Sequence, residues 1–286
     1  MWFSVIAEIT REALQEFVMN MPSIELETKK PAAVDRQFAS TLARGLVILR
    51  AFSADRPMLG NRELCERTGL AKATVSRLTY TLTLLGYLSH VKALQKYRLG
   101  PGILALGYPF LASLTLRQII RPIMERLAQD TGCTINLGML DRTCVVFVET
   151  CRFDKNNIYR PDIGSTRPIL STSVGRALLQ NSEPRQRQSL LNRLRLEDPD
   201  EFERLLPLWK ADVAEFERKG YFRSRGDWKK EVHGISVPIR RSAHDEYIAL
   251  NCTLSGPLVN KAVLSRTVAP KLLGAVREFE HAAGLS

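Results

Sequence analysis

The stretch Asn61–Leu88, NRELCERTGLAKATVSRLTYTLTLLGYL, decides the reading of the whole chain. Asn61 is a residue type that caps a helix, here one running to about Arg67 with Leu64 and Cys65 facing inward. Thr68-Gly69-Leu70 supplies a turn, since Gly69 tolerates the positive φ that ends many helices. A longer helix follows from Lys72 to Leu85, in which Val75, Leu78, Leu82 and Leu85 recur at helical spacing and form the inward stripe. At about 100° per residue, Ala73, Ser76, Arg77 and Tyr80 fall on the opposite side, with Lys72 on the N-terminal shoulder and Thr74 at the edge. A short helix, a turn and a longer helix with a polar, basic outer face is the layout of a helix-turn-helix that enters the major groove of DNA. Arg77 has the fork that bonds a guanine edge in bidentate fashion, whereas Lys72, Thr74 and Ser76 suit phosphates. Taken singly, each of these polar residues reads as solvated surface. Their convergence on one face of one helix carries the argument.

Upstream, Ser40 is the expected N-cap of a helix to about Phe52, with Leu42, Leu46, Leu49 and either Ile48 or Phe52 as its inward stripe. Ser53–Gly60 contains Asp55, Pro57 and Gly60 and reads as a loop. Downstream, Gly86 ends the long helix. Tyr87-Leu88-Ser89-His90 and Gln95-Lys96-Tyr97-Arg98-Leu99 then read as two strands of a hairpin, a wing that would bring Lys92, Lys96 and Arg98 to the DNA backbone. The tip, Val91 to Leu94, lacks the Gly or Asn of a two-residue turn, so a longer loop is expected.

Charge agrees with this placement. The chain of 286 residues carries a net charge of +11. Between Arg36 and Gly100 there are 11 Lys or Arg against 3 acids, so eight of those charges sit in this segment. A basic module on a nearly balanced remainder is the footprint of a nucleic-acid-binding domain attached to something else. No apolar run approaches the roughly 20 residues of a membrane span, and a soluble, cytoplasmic protein is expected. The five cysteines, Cys65, Cys133, Cys144, Cys151 and Cys252, include no Cys-x-x-Cys pair, which disfavours a disulfide framework or zinc site. No cofactor or metal motif is present. Residues 1–39 read as an extension and linker. Charges at Glu8, Arg11, Glu12 and Glu16 interrupt any secretory signal, and Met19 or Met21 are alternative starts.

These residues resemble the IclR family of bacterial transcriptional regulators. The resemblance rests on RGLVILRAF, LCERTGLAKATVSRLTYTLTLLGYL and KYRLGPGILALG, and continues through TGCTINLGMLD, VGRALL, GISVPIR and LSGP, so it spans roughly Ser40 to the end. No single motif is decisive; their order and spacing together are specific. It implies an α+β protein with an N-terminal winged helix-turn-helix domain (40–100), a linker helix (101–116) and a C-terminal GAF-like effector-binding domain with a mainly antiparallel sheet (117–286). It also implies a homodimer or homotetramer, joined through the DNA-binding domains and linker helices, on a pseudo-palindromic double-stranded operator. One departure is Ala71, where the family usually has Pro.

The residues of the second half fit that frame. Pro101 opens a helix carrying Ile103, Leu104, Leu106 and Leu111, with a kink expected at Pro109, and a partner subunit or its own chain must cover that apolar face. Further expectations are a helix near Ile119 to Gln129 kinked or begun at Pro122, a hairpin of Thr134–Leu140 and Cys144–Glu149, and a strand Ile158–Arg160. Ser171-Thr172-Ser173 can cap a helix Val174–Gln180, followed by helices Pro184–Leu194 and Asp200–Lys219. Strands Ile235–Ile239 and Tyr247–Leu254 and a helix Lys261–Ala282 with Pro270 near its middle complete the domain.

Mapped by motif, the resemblance places a small-molecule effector against Ser173 and Val174, Ser224 and Gly234, and Thr253 and Ser255. The helix start at Ser173 suits a carboxylate, because helix N-termini carry partial positive charge. Ser173 as a simple cap, and Thr253 and Ser255 as simple strand residues, are equally good readings. Family members that bind small keto acids tend to have Asp and Cys where this chain has Ser224 and Gly234. The smaller residues would enlarge the cavity, and Trp228, Tyr221 and Phe222 offer rings, so an aromatic or bulkier carboxylic acid is expected. Arg160, Arg167, Arg223 and Arg225 are candidate counter-charges. The rival class is an enzyme acting on a small carboxylic acid with the basic domain as an accessory. Its only support is Asp227 and Glu231, four apart on what would be one helical face, while the common catalytic motifs are absent.

Overall fold

A computed structural model describes residues 37–153, 161–239, 247–255 and 263–285. The chain divides into two compact units, Met1–Ser113 and Leu114–Ser286. The expected extension and the strand Ile158–Arg160 lie outside the described residues, apart from residues 37–39.

In the first unit, α1 (Ser40–Arg50), α2 (Asn61–Thr68) and α3 (Lys72–Leu84) enclose a core of Ile48, Ala51, Phe52, Leu59, Leu64, Val75, Leu82 and Leu88. The turn between α2 and α3 closes on Gly69 in the left-handed region at φ 67°. Ser40 and Asn61 are the first helical residues rather than caps. The cap of α2 is Gly60, whose N–H donates to Glu63 Oε2 at 2.7 Å. That carboxylate takes up a donor that the helix start would otherwise leave unpaired.

Two inward stripes are rotated from their expected positions. In α3, Thr79 is buried and Leu85 is 62% exposed. The Thr79 hydroxyl donates to the Val75 carbonyl at 2.9 Å, so a polar residue enters the core with its donor satisfied. In α1, Leu42 (65% exposed) and Leu46 face outward, while Val47, Ile48, Ala51 and Phe52 are buried. The wing consists of β1 (Leu88–Val91) and β2 (Lys96–Leu99), antiparallel, with the tip Lys92–Leu94 in a 3-10 turn and Gln95 at φ 50°. Leu59 adds an isolated bridge to Tyr97. Helix α4 (Gly102–Ser113), with Pro109 inside it, buries none of its residues, and Leu104, Leu106, Tyr108 and Phe110 are all exposed.

Among the described residues the second unit is built on a six-stranded sheet of β3 (Thr134–Asp141), β4 (Cys144–Arg152), β5 (Thr166–Pro168), β6 (Phe222–Arg225), β7 (Val232–Pro238) and β8 (Ile248–Ser255), ordered β5-β4-β3-β8-β7-β6 and antiparallel throughout. Helix α5 (Leu116–Thr131) starts a turn before its expected beginning and runs through Pro122. It packs on β3 (Thr134–Asp141) and β4 (Cys144–Arg152), which are joined by the two-residue turn Arg142-Thr143 with Arg142 at φ 53°. The short β5 (Thr166–Pro168) covers the β4 edge. Helix α6 (Ser173–Asn181), capped by the Thr172 hydroxyl on Gly175 N–H at 3.2 Å, lies on the other face. Helices α7 (Pro184–Glu197) and α8 (Pro199–Lys219) follow, α8 closing at Gly220 with φ 74°. Then come β6 (Phe222–Arg225), β7 (Val232–Pro238), β8 (Ile248–Ser255) and α9 (Ala269–Ala282). Before α9 the chain widens into a π-helical turn, Leu264–Val268, which admits Pro270 and its missing N–H.

All five cysteines are free. Burial pushes the Cys133 and Cys151 thiols up to about 11, far from the thiolate form that reacts. No single helix among the described residues is long and apolar enough to cross a membrane.

Candidate nucleic-acid interface and ligand pocket

The outer face of α3 presents Lys72, Ala73, Ser76, Arg77 and Tyr80 to solvent, with Thr74 half-buried at its edge. Because α3 is held by Val75, Thr79 and Leu82 below, these side chains project from a rigid base. In the wing, Lys92 and Arg98 are exposed. Lys96 is placed differently from the expectation: its ammonium lies 3.1 Å from Glu63 Oε1, so it ties β2 to the start of α2. The Gly60 N–H, with help from Lys96, holds Glu63 below the usual carboxylate range. Stacking of His90 on Tyr97 at 4.7 Å and two backbone bonds between Leu59 and Tyr97, at 2.9 and 2.8 Å, complete a stiff wing.

In the second unit, Ser224, Gly234 and Thr253 are register partners across β6, β7 and β8 and form one buried row facing α6. The expected enlargement at Gly234 does not occur. A Cβ there would lie 2.8 Å from Ser173 Oγ and 3.3 Å from Asn251 Nδ2, so the space is already occupied. Ser173 Oγ accepts from Ser236 Oγ at 2.9 Å and from Asn251 Nδ2 at 3.3 Å. The network continues from Asn136 Nδ2 to Asn251 Oδ1 at 3.1 Å, from Thr253 Oγ1 to the same oxygen, and from Thr150 Oγ1 to Asn136 Oδ1 at 3.2 Å. Val174 points into the core, its Cγ2 against Gly138. Ser255 is half-buried one row further along β8, opposite Val232.

Trp228 sits in the β6–β7 connection, with the Arg167 guanidinium 4.9 Å from its ring and the Lys229 ammonium 4.8 Å away. Arg167 also lies 5.0 Å from the Phe147 ring. That connection is fixed by Arg176, buried in α6, which donates to Asp227 at 2.9 Å, Asp212 at 2.8 Å and the Arg223 carbonyl at 3.0 Å. Burial pushes the Asp212 carboxyl up, against the pull of Arg176. Asp227 and Glu231 occupy bends and a turn rather than a helix, and Asp227 is committed to Arg176, which removes the geometry proposed for an acid–base pair. Of the other counter-charge candidates, Arg160 lies outside the described residues, Arg223 donates to Ser265 Oγ at 3.3 Å, and Arg225 is exposed.

Motif reading missed Asn136, Thr150, Ser236 and Asn251. Asn136 in TINLGML and Asn251 in IALNCTL interrupt strands that are otherwise apolar, and that interruption was the available signal. A groove of about 450 Å³ opens elsewhere, lined by Phe216, Val237, Pro238, Leu273 and Val276, and none of the motif-mapped residues reaches it. Among the described residues no cluster of His, Cys, Asp or Glu is arranged to hold a metal ion.

Two family models match the chain: the IclR helix-turn-helix domain over residues 41–92 and the bacterial transcriptional regulator IclR C-terminal domain over residues 109–281. The chain belongs to the IclR family. This IclR regulator is 38% identical to the HTH-type transcriptional regulator TsaQ1/TsaQ2 of Comamonas testosteroni over 199 residues, 69% of this chain and 71% of the relative. It is 28% identical to the acetate operon repressor of Salmonella typhimurium, covering 80% and 85% of the two chains. The crystal structure of an IclR family transcriptional regulator from Brucella abortus superposes with a TM-score of 0.77 at 34% identity, over 88% of this chain and 96% of that one. The helix-turn-helix of this regulator is therefore a DNA-binding element, and the second unit is an IclR effector domain.

Proposed function

We propose that this IclR regulator binds a pseudo-palindromic operator as a dimer or dimer of dimers and releases or grips it in response to an aromatic carboxylic acid. The observation that carries the DNA half is the exposed face of Lys72, Ser76, Arg77 and Tyr80 on α3, flanked by Lys92 and Arg98 of the wing. One arginine able to read a guanine supplies little specificity, so two copies of α3 in successive major grooves are required. Exposed Leu42, Leu46, Leu84 and Leu85, and the uncovered α4, supply apolar surface for a second copy. Footprinting on DNA upstream of the gene should protect two symmetric half-sites about one helical turn, or a multiple, apart. A single asymmetric site protected equally by monomer would sink the dimer reading.

For the effector, the rings of Phe147 and Trp228 about the Arg167 guanidinium, with Phe147 packed on the α6 side of the sheet, favour a planar anion. Calorimetry with 4-hydroxybenzoate, benzoate and pyruvate tests this. Tight binding of pyruvate with none of the aromatic acids would overturn it.

A further inference from the structure

Glu149 is only 2% exposed on β4, yet it carries a carboxylate gripped by two cations of one helix. Arg117 Nη2 lies 2.8 Å from its Oε2 and Arg121 Nη1 lies 3.1 Å from its Oε1, while the Thr150 N–H donates to Oε1 at 3.1 Å. Arg117 and Arg121 are one turn apart in the first half of α5, which is separated from the end of α4 by two residues, Leu114 and Thr115. Apolar contacts such as those of Ile120 and Met124 allow small slides of a helix over a sheet. Two directional bonds to the separate oxygens of one carboxylate admit a single register.

The sheet brings this clamp next to the ligand side. Register shifts between Leu137 and Gly138, which pair with Glu149 and Phe147, so Val148 is an extra residue in β4. The bulge keeps Phe147 and Thr150 on the α6 face while Glu149 between them points to α5. A continuous hydrogen-bonded chain therefore runs from Ser173 at the start of α6 through Asn251, Asn136 and Thr150 to Glu149 and Arg117.

We propose that Glu149 with Arg117 and Arg121 is the element that carries ligand occupancy from the sheet to the helix leading toward the DNA-binding domain. This rests on the reading of the α6 face as the effector side. Glu149 is thus a positioning residue that contacts neither ligand nor DNA, and its loss should separate the two activities. A buried carboxylate replaced by Gln keeps its shape and its acceptor for the Thr150 N–H, and both arginines are partly exposed and can be solvated.

The test uses the full chain, DNA from upstream of its own gene, and 4-hydroxybenzoate as probe. In the wild type the acid should change DNA affinity at least fivefold, in the range of ordinary allosteric couplings. Glu149→Gln should bind the acid within about twofold of wild type by calorimetry, while the acid-induced change in DNA affinity falls below about twofold. Should Glu149→Gln not fold, Arg117→Gln, whose side chain is 20% exposed, serves in its place. Retention of the full change in a folded variant overturns the clamp.

If 4-hydroxybenzoate does not alter wild-type DNA binding, the aromatic-acid reading fails, and the clamp is judged without ligand. Asn136→Ala should then shift DNA affinity in the wild-type background and leave it unshifted in the Glu149→Gln background. An equal shift in both, or none in the wild type, overturns it.

Discussion

At the scale of single residues, Arg77 and Lys96 are both basic and both near the DNA face, but among the described residues Lys96 is paired with a carboxylate, Glu63, whereas Arg77 projects from the reading helix with no ion pair. Arg77→Ala is expected to weaken operator binding by about 1–3 kcal/mol and to relax base preference at one position. Lys96→Ala, by loosening the wing from Glu63, should weaken all sequences alike. Anisotropy titrations against operator variants check both, and identical sequence-independent losses would reduce Arg77 to a phosphate contact. Arg98→Ala should lower the salt slope of binding by about one with no change in the thermal midpoint. At Gly234 the demand is steric. Gly234→Ala places a methyl group 2.8 Å from Ser173 Oγ and should cost about 1–3 kcal/mol in urea denaturation, as overpacking does. Unchanged stability would mean that the Ser173 network yields easily.

At the scale of elements, the start of α3 shows what a local conformation permits. Ala71 sits at φ −61° and ψ 144°, a geometry that proline adopts without strain. Ala71→Pro is therefore expected to stabilise the domain by about 0.4–1 kcal/mol through the unfolded chain, seen as a raised thermal midpoint. A lowered midpoint would show that the ring clashes with Leu70. The same helix marks the limit of reading by period. Val75, Leu78 and Leu82 signalled an inward stripe, but Thr79 completes it in place of Leu85, because a threonine hydroxyl can return to its own helix backbone. In α1 the limit is sharper. TLARGLVILRAF is apolar nearly all round, so periodicity alone could not choose between Leu42 and Leu46 on one side and Val47 and Ile48 on the other.

For the whole molecule, the exposed apolar side chains of α4 are the ones that bear on assembly. A helix with Leu104 at 73% exposure and no buried residue is not stabilised by its own unit. Leu104→Glu should leave the helical signal of the chain intact, shift sedimentation toward monomer and weaken operator binding more than tenfold. A dimer that persists at full affinity would place the contact elsewhere.

What the sequence determined by itself is the order of modules, the helix-turn-helix with its outward Arg77, the wing, and the hairpin-connected strands of the second unit. Each of these is a local property, set by periodicity, turn residues and charge over a few dozen positions. Tertiary structure alone decided that Lys96 pairs with Glu63, that Ser173 fills the space over Gly234, that Asp227 is bound to Arg176, and that Glu149 joins β4 to α5. These partners are separated in sequence by 28 residues (Arg121 and Glu149) to 61 residues (Ser173 and Gly234). Which buried polar group meets which depends on strand register and helix rotation, and composition and spacing leave both open.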